Sequence, residues 1–136
     1  MRNKGPHQAI GLYAHLTWHT SRREPSICQP DVEVLTSALF AAGSRTRIRI
    51  HAQAILADHV HLLVSYPPSA CLSAFVREAK SESARRVNES ACRRLRLEWC
   101  RGFYAGSLCR DHIDATRIYL ARQRQRHPDQ IPPPVG

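Results

Sequence analysis

Two consecutive stretches of this chain alternate with a period of two, and only Ala57 and Asp58 separate them. The first, Arg45 to Leu56, sets Ile48, Ile50, Ala52 and Ala54 on one side and Arg47, Arg49, His51 and Gln53 on the other. In the second, His59 to Tyr66, Val60, Leu62 and Val64 oppose His59 and His61. A period of two is the signature of a half-buried strand. A break this short leaves the two strands to pair as an antiparallel hairpin. One hairpin is not stable in water, so its apolar face must be covered by further strands and helices.

The rest of the chain supplies them. Leu12, Ala14, Leu16 and Trp18 alternate with Tyr13, His15, Thr17 and His19, so Gly11 to Thr20 reads as a strand. Pro30 opens a helix with Asp31 and Glu33 in its first turn, Leu35, Ala38, Leu39 and Ala42 as its stripe, and Gly43 as its expected stop. After Pro67 and Pro68, Ser69 is the expected cap of a second helix, with Leu72, Phe75, Val76 and Ala79 inward. Trp99 to Leu108 reads as a fourth strand, interrupted by Gly102 and Gly106, and Asp111 as the cap of a last helix to about Arg126. The order β-α-β-β-α-β-α predicts an α+β fold: a ferredoxin-like, RRM-like antiparallel sheet plus a C-terminal helix. One sheet face packs on helices; the other is free to hold a site. Residues 1–136 read as one domain with a core of about 10–127, a flexible polar N-terminus and a flexible proline-rich tail.

Charge narrows the partner. The net charge of +9 and pI of about 10.1 come from arginines spread along most of the chain, which points to a polyanion, with nucleic acid first. The five cysteines include no CxxC pair, so neither a disulfide framework nor a zinc knuckle follows, and reduced thiols are expected. No apolar run approaches the ~20 residues of a membrane span, and Met1 to Pro6 lacks a signal-peptide core.

Two local patterns carry chemistry. His59 and His61 present paired imidazoles on one strand face, a common beginning of a metal site, though an HxH triplet alone also fits two surface histidines. Tyr119 and Gln123 stand four apart on the last helix. A tyrosine can attack phosphorus and an amide oxygen can ligate a metal, while the plain alternative is a packed tyrosine and a surface glutamine. Neither GxxxxGK[ST] nor GxGxxG occurs, so a reaction that conserves phosphodiester energy in a phosphotyrosine bond needs no nucleotide cofactor.

The ordered set resembles the single-tyrosine HUH transposases of small bacterial insertion sequences and the tyrosine transposases associated with repetitive palindromic elements. The likeness covers roughly Ile10 to His127. It runs through Leu16 to Thr20, Ala57 to Val64, the basic helix Phe75 to Ser83, Trp99 to Ser107, and Tyr119 to Gln123. The resemblance implies that His59, His61 and Gln123 bind magnesium or manganese. Tyr119 would cut single-stranded DNA, leaving a 5′-phosphotyrosine and a free 3′-hydroxyl that another strand's hydroxyl can exploit for joining. It further implies hairpin DNA substrates, a bacterial cytoplasmic setting at the nucleoid, and a homodimer in which the nucleophile helix can complete the partner's site. Lys80, Arg77, Arg85, Arg47 and Arg49 are the candidate phosphate contacts. Tyr13 and Tyr104 stay open as nucleophiles; Tyr119 is preferred for its partner Gln123. His15 and His19 share a face of the first strand and could flank the site or contact DNA.

The main rival is a non-cleaving binder of hairpin DNA or RNA on the same fold. RNA-binding modules of this shape stack bases on aromatic residues of their central strands. The two strands of the hairpin, expected to be the central ones, carry Arg47, Arg49, His51, His59 and His61 instead. A protein using the histidines only for metal binding or regulation would leave the basic charge and the Tyr-Gln pair unexplained.

Overall fold

The structure, a computed structural model, describes residues 11–89 and 95–134. The expected polar N-terminus, Met1 to Gln8, lies outside the described residues. Four strands, β1 (Leu12–His19), β2 (Arg49–Ile55), β3 (His59–Tyr66) and β4 (Tyr104–Leu108), form one antiparallel sheet in the order β2-β3-β1-β4. Helices α1 (Asp31–Thr46) and α2 (Leu72–Asn88) pack together, and α3 (Ile113–Ala121) and a short α4 (Gln123–Arg126) follow β4. This is the expected ferredoxin-like α+β fold with an added C-terminal helix.

The main core lies between the sheet and α1 and α2. Leu16 and Trp18 of β1 and Val60, Leu62 and Val64 of β3 meet Leu35, Leu39, Phe75, Val76 and Ala79. A smaller cluster on the opposite face joins Ala54, Leu63 and Leu120, with Ile113 against it. That face is therefore partly roofed by α3, not left open, and β3 is buried on both sides through Val64.

Several local expectations change. In β2 the register slips between Ile50 and Ala52, so His51 is the extra residue of a bulge. Ile50 faces the main core, while Ala52 and Ala54 turn to the α3 side. Helix α1 runs past Gly43 and ends where Arg47 adopts a left-handed conformation (φ 65°). Gly43 serves close packing, since a Cβ there would sit 2.6 Å from the Ile48 carbonyl oxygen. Arg45 thus belongs to α1. Ser69 does not cap α2, which starts at Leu72; its Oγ accepts a bond from Arg47. The fourth strand is shorter than expected, because Gly102 turns the chain (φ 80°) and Trp99 makes only an isolated bridge to Thr20. Asp111 lies in a single helical turn, Arg110–His112, and makes no side-chain cap to α3. The last helix divides at Arg122 into α3 and α4. The proline-rich tail is docked: the Ala57 N–H donates to the Gln130 carbonyl, the Gln29 N–H to that of Pro133, and Pro132 is buried. Proline cannot donate, but its carbonyl accepts, so a proline-rich segment can still be tied down.

Candidate active site

Strand alternation puts His59 and His61 on the face that α3 roofs, and their ring centroids are 4.9 Å apart. Each ring is held by a neighbour through Nδ1. His59 Nδ1 lies 2.6 Å from Asp58 Oδ1, a carboxylate oxygen that only accepts, so that nitrogen carries a proton and Nε2 is the atom left facing away. His61 Nδ1 lies 3.0 Å from His15 Nε2, and the two rings stack at 5.2 Å. Burial, then repulsion from His59, His15 and His127, lowers the pKa of His61 to about 3. His61 is therefore a neutral imidazole at physiological pH. Burial also lowers the pKa of His15.

Tyr119 reaches this group from α3. Its ring stands edge-on to His61 at 5.8 Å and to His15 at 6.0 Å, and the residue remains 39% exposed. The next residue, Leu120, is buried against Ala54 and Leu63, which fixes α3 over the sheet. Gln123 is 1% exposed, and its Nε2 approaches the Tyr119 carbonyl at 3.4 Å. The expected pair is thus one buried amide and one accessible phenol of the same chain. Tyr104 and Tyr13, the other candidate nucleophiles, make no ring contact with His61 among the described residues. Tyr104, 59% exposed, meets only the edge of His15, and Tyr13 sits over His51.

The donors suit a divalent ion. Two imidazoles with Nδ1 engaged supply nitrogen and the buried carboxamide of Gln123 an oxygen, a mixture that manganese accepts more readily than magnesium. Among the described residues no three His, Cys, Asp or Glu side chains converge on one point, so an ion held by His59 and His61 would draw its other ligands from an amide, solvent or substrate.

Against this geometry stands a sequence match: residues 8–123 fit the family described as "Transposase IS200 like". The chain belongs to the IS200-like transposase family. The match includes His59, His61, Tyr119 and Gln123. The chain is similar to the ISDra2 transposase TnpA of Deinococcus radiodurans, 29% identical over 84 residues, which are 62% of this chain and 60% of that relative. A crystal structure assigned to a transposase from the same organism shares the fold, with a TM-score of 0.66, 21% identity and coverage of 90% and 98% of the two chains. So does a REP-associated tyrosine transposase solved with a REP hairpin, with a TM-score of 0.69, 18% identity and coverage of 93% and 74%.

The basic candidates of this IS200-like chain do not gather at the histidines. Arg77, Lys80 and Arg85 project from α2, which packs on the opposite sheet face. Lys80 Nζ donates to the carbonyls of Cys100 (2.8 Å) and Gly102 (2.6 Å), so it tethers the turn before β4. Arg85 pairs with Glu82 and Glu89. Arg77 is exposed beside Phe103 in a cleft of about 590 Å³. Arg47 sits at the end of α1, while Arg49 is exposed on β2, an edge strand. The central strands are β1 and β3, which display His15, Thr17, His59 and His61. Sequence reasoning missed Asp58 as the partner of His59, although its adjacency was a signal. It left the role of His15 open because pairing with His61 depends on the β1–β3 register.

Proposed function

We propose that this chain is a metal-dependent single-strand DNA nickase and strand transferase that works through a phosphotyrosine on Tyr119. One observation carries the reading: a partly exposed phenol stands against the stacked His61 and His15 of its own chain, and the buried amide of Gln123 reaches that tyrosine's own carbonyl. Tyr119 Oη forms a bond to the scissile phosphorus, and the bond from phosphorus to the 3′ oxygen breaks. The phenol proton passes to solvent, and the departing 3′ oxygen takes one up. The 3′-hydroxyl of another strand can reverse the step and join DNA.

His59 and His61, through Nε2, and Gln123, through Oε1, are the ligands assigned to the ion. When bound, a divalent ion supplies Lewis-acid polarisation of the phosphate. The chain's own contribution is orientation. Asp58 holds His59, Leu120 fixes the helix that bears Tyr119, and the neutrality of His61 keeps its ring free of a competing proton. The substrate is assigned as hairpin-bearing single-stranded DNA, supported by the net charge of +9 and by the REP hairpin held by a structural relative. With such a substrate the protein is expected to act at the bacterial nucleoid. Among the described residues no helix is long and apolar enough to cross a membrane. Tyr119 packs against His15 and His61 of its own chain, which supports a cis arrangement within the expected homodimer beside the alternative in which the partner's helix completes the site.

The test is cleavage of end-labelled hairpin oligonucleotides with manganese, comparing wild type with His61→Ala. Metal-dependent cutting that His61→Ala removes is the expected result. Tight hairpin binding with no cutting, across sequences that include the element's own flanking repeats, would leave a binding protein in its place.

A further inference from the structure

We propose that His15 is a positioning residue for His61, holding Nδ1 of that ring so that Nε2 is the atom offered to a divalent ion. The inference rests on the metal-dependent reading above. In the β1–β3 register Thr17 lies opposite His61 and His15 opposite Leu63, so His15 and His61 are diagonal neighbours on the same face. His15 Nε2 and His61 Nδ1 are 3.0 Å apart, with the rings 26° from parallel. Two ring nitrogens at that distance must share one proton, since two lone pairs would repel.

Only two neutral arrangements satisfy the contact. If His15 donates, the lone pair of His61 points at His15, and its Nε2 carries a hydrogen and cannot ligate. If His61 donates, its Nε2 keeps the lone pair. Ligation by His61 therefore requires His15 as acceptor, with its own proton on Nδ1. His59 follows the same rule, with Asp58 Oδ1 2.6 Å from its Nδ1. Both imidazoles thus have Nδ1 engaged and Nε2 left over. The acceptors differ: a carboxylate for His59, a neutral imidazole for His61. Tyr119 packs nearly perpendicular to both members of the His15–His61 stack, at 6.0 and 5.8 Å, so the stacked pair is also the surface that the phenol ring meets.

Two measurements decide it, neither of which uses DNA cleavage. Long-range proton–nitrogen correlation spectra of the wild-type protein, with chelator, report the tautomer of each histidine. His61 is expected to carry its proton on Nδ1; a proton on Nε2 overturns the proposal. Manganese titration by calorimetry then compares wild type, His15→Phe and His15→Gln. Loss of an outer hydrogen bond to a metal-binding histidine typically weakens affinity about 10–100-fold, and His15→Phe is expected in that range. His15→Gln, whose Oε1 can accept from the same N–H, should recover most of it. A His15→Phe affinity within about twofold of wild type overturns the role of His15 while leaving the metal site standing. If wild type binds manganese no more tightly than His61→Ala, the metal reading fails and this inference fails with it.

Discussion

Leu120→Ala should loosen the helix that carries Tyr119 without unfolding the sheet. Helix α3 has nine residues, too few to be stable alone in water. Its hold on the sheet is the small cluster of Leu120 with Ala54 and Leu63, backed by Ile113, apart from the main core under α1 and α2. A buried leucine truncated to alanine costs about 2–5 kcal/mol. At about 1.4 kcal/mol per factor of ten, a loss of about 3 kcal/mol raises the undocked fraction of α3 by roughly 100-fold. Hydrogen exchange read by mass spectrometry distinguishes local from global loosening. Amides of 116–121 should exchange about 100-fold faster, while those of α2 and β1 keep their protection. DNA cleavage should fall with the docked fraction once that fraction drops below one half. Uniform acceleration across the sheet, or none in α3, would refute the anchoring role of Leu120.

Three further outcomes follow from the geometry. His61 is buried with its pKa lowered to about 3, from an unfolded value near 6.5. Below pH 6.5 the unfolded chain takes up a proton that the folded ring refuses, so stability is fully present above that pH and falls by up to about 1.4 kcal/mol per unit towards pH 3. Urea midpoints with chelator should decline from pH 6.5 to 4 in wild type and less steeply in His61→Gln; equal slopes would remove His61 as the cause. Lys80→Met frees the carbonyls of Cys100 and Gly102. It should cost about 1–3 kcal/mol of stability, as bonds from charged groups do, with little change in the salt slope of DNA binding; the reverse pattern would make Lys80 a phosphate contact. Arg49→Gln or Arg77→Gln, each at an exposed arginine, should flatten the log–log salt slope by about 0.7 per lost contact on single strands. An unchanged slope for both would place the DNA elsewhere.

What the sequence revealed, and what it hid, divides by range. The alternation of β1 and β3 is local and survives in the structure; the four-residue step from Tyr119 to Gln123 is local too, but it spans the division at Arg122, with Tyr119 on α3 and Gln123 opening α4. The bulge at His51 is not local, because it exists only against the register of β3, and it turns Ala52 and Ala54 to the face opposite Ile50. Arg47 shows a similar limit. Its left-handed turn is a position usually given to glycine, while nearby Gly43 serves close approach to Ile48 instead. The proline-rich tail is rich in helix breakers, yet its carbonyls meet backbone donors that only the folded chain brings near. Within the candidate site, His59 and His61 could be placed from spacing alone. The contact of His15 with His61, and the tethering of Lys80 to the turn before β4, required the fold.

The most direct measurement is recovery of a covalent protein–DNA adduct, formed with manganese on single-stranded hairpin DNA, followed by peptide mapping of the modified residue. A 5′-phosphodeoxynucleotide mass on the peptide containing Tyr119, absent with chelator and absent in Tyr119→Phe, is the expected result. The same mass on a peptide containing Tyr104 or Tyr13, or an adduct that persists in Tyr119→Phe, would contradict it.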